Sequence, residues 1–207
     1  MNPDTDQLLD RARRGDGHAR QQLLVRHKDR LRRMVAVRLD RRLAARLDPS
    51  DVVQEALADA AGKLSDYLRE RPLPFYPWLR QIAWERLVKL HQRHLRARKR
   101  STAREEVALP ALPDDSVLQL AGRLIDSGTG PGERLVREEL RARVRAALAR
   151  LGERERELLV MRYLEGLSLK EIAAALGVSV GAVKMRHVRA LEAVQRLLAG
   201  DDEGGMP

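Results

Sequence analysis

Apolar residues recur at steps of three and four along the chain, and the elements they predict are helical. From Asp4 to Arg14 a short helix, capped by Asp4 or Thr5, carries Leu8 and Leu9 and stops at the Gly15 and Gly17 pair, with Asp16 restarting the chain. Leu23, Leu24, His27, Leu31, Met34, Val35, Leu39, Leu43 and Leu47 then describe one long helix or two nearly collinear ones. Asp48-Pro49-Ser50 is a strong helix start, read with Ser50 as cap. The helix that follows runs to about Leu68 on a stripe of Val53, Leu57, Ala60 and Leu64. Prolines at 72, 74 and 77 predict a stiff loop holding Phe75 and Tyr76. Pro77 then opens a helix whose core stripe is Trp78, Leu79, Ile82, Ala83, Leu87 and Leu90.

The pattern weakens between Ser101 and Gly132, where two arginines face five acids and a Ser-Gly-Thr-Gly-Pro-Gly string closes the stretch. This composition predicts a flexible acidic linker. Within it, Asp115 or Ser116 caps a short amphipathic helix with Val117, Leu118, Leu120, Leu124 and Ile125, which needs an apolar surface to dock on. Helical spacing returns at Glu133 with Leu135, Leu140, Val144, Ala147, Leu148 and Leu151, and continues from Glu153 to Leu164. The sequence therefore predicts an all-α protein of two small helical domains, residues 1–100 and 133–199, joined by a linker over 101–132 and followed by a disordered tail, 200–207.

The stretch Leu167 to Leu191 is the most explicit. Leu169, Ile172, Ala173 and Leu176 form one short helix, and Ser168 with Glu171 three positions on is a capping box. Gly177 ends it, Ser179 caps the next, and Val183, His187, Ala190 and Val194 give the second helix an inward stripe at steps of four, three and four. Two helices joined by so short a turn cross steeply, as a helix-turn-helix does when its second helix enters a major groove. Removing the inward stripe leaves Ser179, Gly181, Ala182, Lys184, Met185, Arg186 and Arg189, with no acid before Glu192. Ser179, Lys184, Arg186 and Arg189 are the candidate contacts to phosphates or base edges.

Charge supports a polyanionic partner: the 207 residues carry a net charge of +10. Absence of cysteine removes disulfides and thiolate metal sites. The polar start lacks a signal-peptide core, and no apolar run spans a bilayer, so the reading is a cytoplasmic protein with no membrane segment. Between Pro77 and Arg100 eight Lys or Arg face Glu85 alone. Four of the six aromatic residues, Phe75, Tyr76, Trp78 and Trp84, lie within ten positions just before or inside this basic track. Trp78 falls on the core stripe. Phe75, Tyr76 and Trp84, with Lys89, Arg93 and Arg96, are candidates for stacking on unpaired bases and following their phosphates. His91 and His94 lie one turn apart, but no carboxylate or thiolate shares their face, so no metal or other cofactor is expected.

Against this basic background Asp51, Gln54, Glu55 and Ala58 make an acidic, amide-bearing helix face. Carboxylates at a helix start also serve the helix dipole. The sharper reading is a docking surface for a basic or polar helix of a partner.

Taken together the motifs resemble those of bacterial RNA polymerase sigma factors, sigma-70 superfamily, of the compact extracytoplasmic-function type. DPSDVVQEAL is similar to the acidic helix of the family's region two, FYPWLRQIAWERL to its aromatic Trp-Leu-x-x-Ile-Ala helix, and LVMRYLEGLSLKEIAAALGVSVGAVKMRHVRAL to its region four. The resemblance implies that Asp51, Gln54 and Glu55 grip the clamp helices of the largest subunit of core RNA polymerase. It implies that the stretch from Leu68 through the following helix captures a melted promoter strand, that the helix-turn-helix reads the upstream element as duplex, and that the linker threads into the polymerase cleft. An anti-sigma protein that covers both DNA faces, as it does in many relatives, is a further candidate partner. The chain departs from the family pattern at Trp84, Glu85, Lys89, Met185 and His187, which bears on the promoter sequence and not on the role. A stand-alone helix-turn-helix regulator is the alternative, and it leaves the acidic face without a task. An enzyme is disfavoured, since the sequence has no glycine-rich phosphate loop, no carboxylate cluster for a metal pair and no nucleophile beside a base.

Overall fold

The computed structural model describes the backbone of residues 3–39, 47–98, 113–126 and 134–200, and the side chains of 4–39, 47–93, 113, 115–125 and 139–199. The expectations for Leu43, for most of the linker and for the tail lie outside the described residues. Every described element is helical, and the chain divides into two compact units, Met1–Ala111 and Leu112–Pro207.

The first unit contains α1 (Pro3–Arg13), α2 (Gly17–Arg26), α3 (Lys28–Arg38), α4 (Pro49–Glu70) and α5 (Phe75–Arg98). Helix α4 touches all the others, because its stripe of Val52, Val53, Ala56, Ala60 and Leu64 is buried while its opposite face stays in water. Asp16 accepts from the N–H groups of His18 and Ala19 at 2.9 and 3.0 Å and so starts α2, as expected. The long helix expected beyond it is broken at His27, whose φ of −99° and ψ of 2° leave the helical basin. At that break the His27 ring packs at 5.4 and 5.5 Å from the rings of Phe75 and Tyr76.

Two helix starts differ from the sequence reading. The cap of α4 is Asp48, not Ser50: its carboxylate accepts the Ser50 N–H at 2.7 Å, and Pro49, with its ring-fixed φ, already occupies the first turn. Helix α5 begins at Phe75 and not at Pro77. A proline is tolerated in a first turn, where its missing N–H has no helical partner. The Trp78 N–H closes that turn on the Pro74 carbonyl at 3.1 Å. Phe75 and Tyr76 thus leave the predicted loop and enter the helix.

The second unit contains α6 (Asp114–Asp126), α7 (Arg134–Arg150), α8 (Glu153–Leu159), a π-helical turn (Val160–Leu164), α9 (Leu169–Leu176) and α10 (Val180–Gly200). The amphipathic helix inside the acidic stretch finds its apolar surface here. It packs on α7 and on the π turn, burying Val117, Leu120, Ala121 and Ile125. The expected helix to Leu164 widens after Leu159: the Glu165 N–H reaches back five residues to the Val160 carbonyl at 3.1 Å. The widened turn keeps Val160 and Met161 in the core and sets Tyr163 against α10, with its hydroxyl 3.2 Å from His187 Nε2.

Candidate nucleic-acid and partner interfaces

The helix-turn-helix is built by three local devices. Ser168 Oγ accepts the Glu171 N–H at 3.2 Å, and the Glu171 carboxylate accepts the Ser168 N–H at 2.9 Å, completing the capping box. Gly177 holds φ 65° and ψ 31°, and the Val178 N–H returns to the Ala173 carbonyl at 3.1 Å, so the last carbonyls of α9 are satisfied. Ser179 Oγ then accepts the Ala182 N–H at 3.1 Å and opens α10. Val183, Ala190 and Val194 are buried beneath it. His187 is half-buried, and burial together with the nearby Arg162 guanidinium holds its imidazole below the ordinary pKa of 6.5.

With that stripe turned inward, Ser179, Gly181, Ala182, Lys184, Met185 and Arg189 are exposed. Arg186 is only half-exposed. At about 100° per residue it stands roughly 120° from the middle of the outward face, whereas Lys184 and Arg189 flank that middle on either side. Val188 is the residue the sequence reading missed. It belongs to neither face as read from residue type, but it lies five positions after buried Val183, which carries it to the outside, and it is 48% exposed.

In the first unit Asp51, Gln54 and Glu55 all reach solvent along α4. Asp59, one turn beyond Glu55, extends the row. Arg86 of α5 ties the two together: its Nε donates to Glu55 at 2.7 Å and its Nη1 to Asp59 at 3.5 Å. Exposed pairs of this kind add little stability. Their effect is to fix where the Glu55 carboxylate points. No spacing along either helix reveals this pairing, which exists only because α4 and α5 pack side by side.

The aromatic and cationic candidates separate into two groups. Phe75 and Tyr76 are 1% and 3% exposed, inside a ring cluster with His27, Tyr67 and Trp78. The cluster is tight: Tyr67 stacks on Trp78 at 4.3 Å, and its hydroxyl donates to the Leu73 carbonyl at 2.9 Å, pinning the proline loop. A ring so enclosed cannot offer a face to a base without leaving the core, and this corrects the stacking role expected of Phe75 and Tyr76. Trp84 is half-buried, with the guanidinium groups of Arg38 and Arg80 at 5.3 and 5.9 Å from its ring centre. Lys89 and Arg93 are exposed, and helical register places Arg96 on their face, though its side chain lies outside those described. Trp84 is turned about 140° away from Lys89 by the same register, so α5 presents a cation row without an aromatic neighbour on it. His91 donates from Nδ1 to the Leu87 carbonyl at 3.0 Å.

Residues 147–196, which contain α9 and nearly all of α10, match the family described as Sigma-70, region 4. The ECF RNA polymerase sigma-E factor of Escherichia coli K12 is 33% identical over 192 residues, 92% of each chain. RNA polymerase sigma factor CnrH of Cupriavidus metallidurans is 32% identical over 211 residues, 98% of this chain and all of that one. Among solved structures, CnrH in complex with the cytosolic domain of CnrY matches with a TM-score of 0.53 and 26% identity, over 96% of this chain and 99% of the other.

Proposed function

The chain belongs to the sigma-70 superfamily of RNA polymerase sigma factors, of the extracytoplasmic-function type, and from that premise we propose that it joins core RNA polymerase and directs it to promoters through two separate DNA contacts. In the second unit, Ser179, Lys184, Arg186 and Arg189 read the upstream element as duplex, Lys184 and Arg189 from the flanks of α10 and Arg186 from further round it. In the first unit, Lys89, Arg93 and Arg96 hold the phosphates of a parted strand. Trp84, about 140° round α5 from Lys89, meets its bases only where the strand crosses the helix. Unstacking a base costs a few kcal/mol, which stacking and phosphate contacts of similar size offset. Asp51, Gln54 and Glu55 grip the clamp helices of the largest polymerase subunit, with Arg86 holding Glu55 in place.

The observation that carries this reading is the solvent-facing acidic and amide row on α4 in a chain of net charge +10. Such a row opposes nucleic acid and suits a basic protein helix. A stand-alone regulator would have no use for it. The chain then contributes binding alone, and bond formation belongs to the polymerase, which places its work in the cytoplasm. The domains are residues 1–100 and 133–199, and the acidic stretch 101–132 between them contributes α6 to the second unit. The likeness to CnrH, solved with the cytosolic domain of CnrY, supports a protein partner for this chain too, in the place the family gives to anti-sigma proteins.

Run-off transcription tests the reading. Purified chain added to core polymerase on promoter DNA selected from the genome should give a defined transcript that neither component gives alone. Tight duplex binding without polymerase, and no transcript with it, would instead identify a regulator.

A further inference from the structure

The middle of the outward face of α10 is not cationic. Four of the six large apolar side chains exposed among the described residues, Leu176, Val178, Met185 and Val188, belong to the helix-turn-helix. Met185 and Val188 stand one turn apart at 56% and 48% exposure. Gly181, Met185, Val188 and Glu192 follow at steps of four, three and four, directly opposite the buried Val183, Ala190 and Val194. Lys184 flanks this row on one side and Arg189 on the other. Gly181 and Ala182, at the start of the helix, are too small to hold a neighbouring surface away.

The flanking charges select what can cover the row. Two lines of phosphates with base edges between them match cations on either side of an apolar strip. On the floor of the major groove the apolar group available is the C5 methyl of thymine. We infer that Met185 and Val188 read thymine by its methyl group and are specificity-determining residues for the upstream duplex. This rests on the proposed role of α10 as the duplex-reading helix. Glu192, the next residue of the row, bounds the methyl-reading part, because a carboxylate accepts from a cytosine amine but gains nothing from a methyl. The strip therefore spans about one helical turn and meets one or two thymines.

The experiment uses the full chain bound to core polymerase. Duplexes selected from a random library define the upstream element, and each thymine in it is replaced in turn by uracil, which differs only in lacking the methyl. At one or two positions uracil should weaken binding about fourfold, the equilibrium equivalent of one buried methylene. In Met185→Ala or Val188→Ala, thymine and uracil should bind alike at the position that side chain covers. Both side chains are exposed, so both variants should keep the helical circular dichroism of the parent.

An element without thymine, uracil that is neutral at every position, or a uracil penalty that persists in both variants overturns the inference and assigns the strip to a protein partner. If the holoenzyme forms and selects DNA while the methyls prove irrelevant, only this inference falls. If the chain does not join the polymerase at all, the proposed function falls with it.

Discussion

His187 faces inward from α10, its Nε2 3.2 Å from the Tyr163 hydroxyl and its ring stacked on Tyr163 at 5.8 Å. Burial first, and the Arg162 guanidinium second, depress its pKa below 6.5, so the folded second unit favours the neutral imidazole. The unfolded chain takes up a proton near pH 6.5 and thus binds more protons than the folded chain below that value. The stability this histidine confers is therefore complete above about pH 6.5 and is lost as pH falls through the depressed folded value. Thermal unfolding followed at about pH 7.5 and about pH 5.5 should show a lower midpoint at the acidic value, and His187→Leu should reduce that difference. Phe75 supports a second prediction at this scale. As a core ring it should cost about 3–5 kcal/mol of first-unit stability in Phe75→Ala, read by urea denaturation. A base-stacking ring would cost little there and much in single-strand affinity.

At the scale of elements, the helix-turn-helix depends on its ends. Helix α9 has eight residues, too few to persist on propensity alone. Ser168→Ala removes the acceptor of the capping box and should destabilise the second unit by about 1 kcal/mol. Gly177→Ala puts a Cβ on a residue at φ 65° and should cost at least about 1 kcal/mol by the left-handed penalty. Denaturant titration checks both, and a neutral Gly177→Ala would mean the turn can close in another way. These devices were legible in the sequence because each acts over three or four residues. The start of α5 and the π turn were not. Pro77 looked like a boundary because a proline fits both just before and just inside a helix, and packing of Phe75 against His27 and Tyr67 chose the inside. The π turn brings Tyr163 to His187, 24 residues away, and leaves no spacing signal in its own five residues.

For the whole molecule, charge and composition fixed the class of partner more readily than the residues that touch it. A net charge of +10, two helical units and an acidic row on α4 were all readable from one chain. The helix within the acidic stretch was legible as amphipathic, but its attachment to the second unit depended on the surface offered by α7. Likewise Arg86 looked like one cation in a basic track, and only the packing of α5 on α4 assigned it to Glu55 and Asp59. The proposed function requires a separation of tasks in the molecule, with protein docking on α4 and duplex reading on α10. The most direct measurement is a pair of titrations, labelled chain against core polymerase and against upstream duplex, for Asp51→Ala combined with Glu55→Ala and for Arg189→Ala. Loss of the carboxylate pair should weaken polymerase binding and leave duplex affinity unchanged, while Arg189→Ala should do the reverse. Equal losses in both titrations for either variant would contradict this separation.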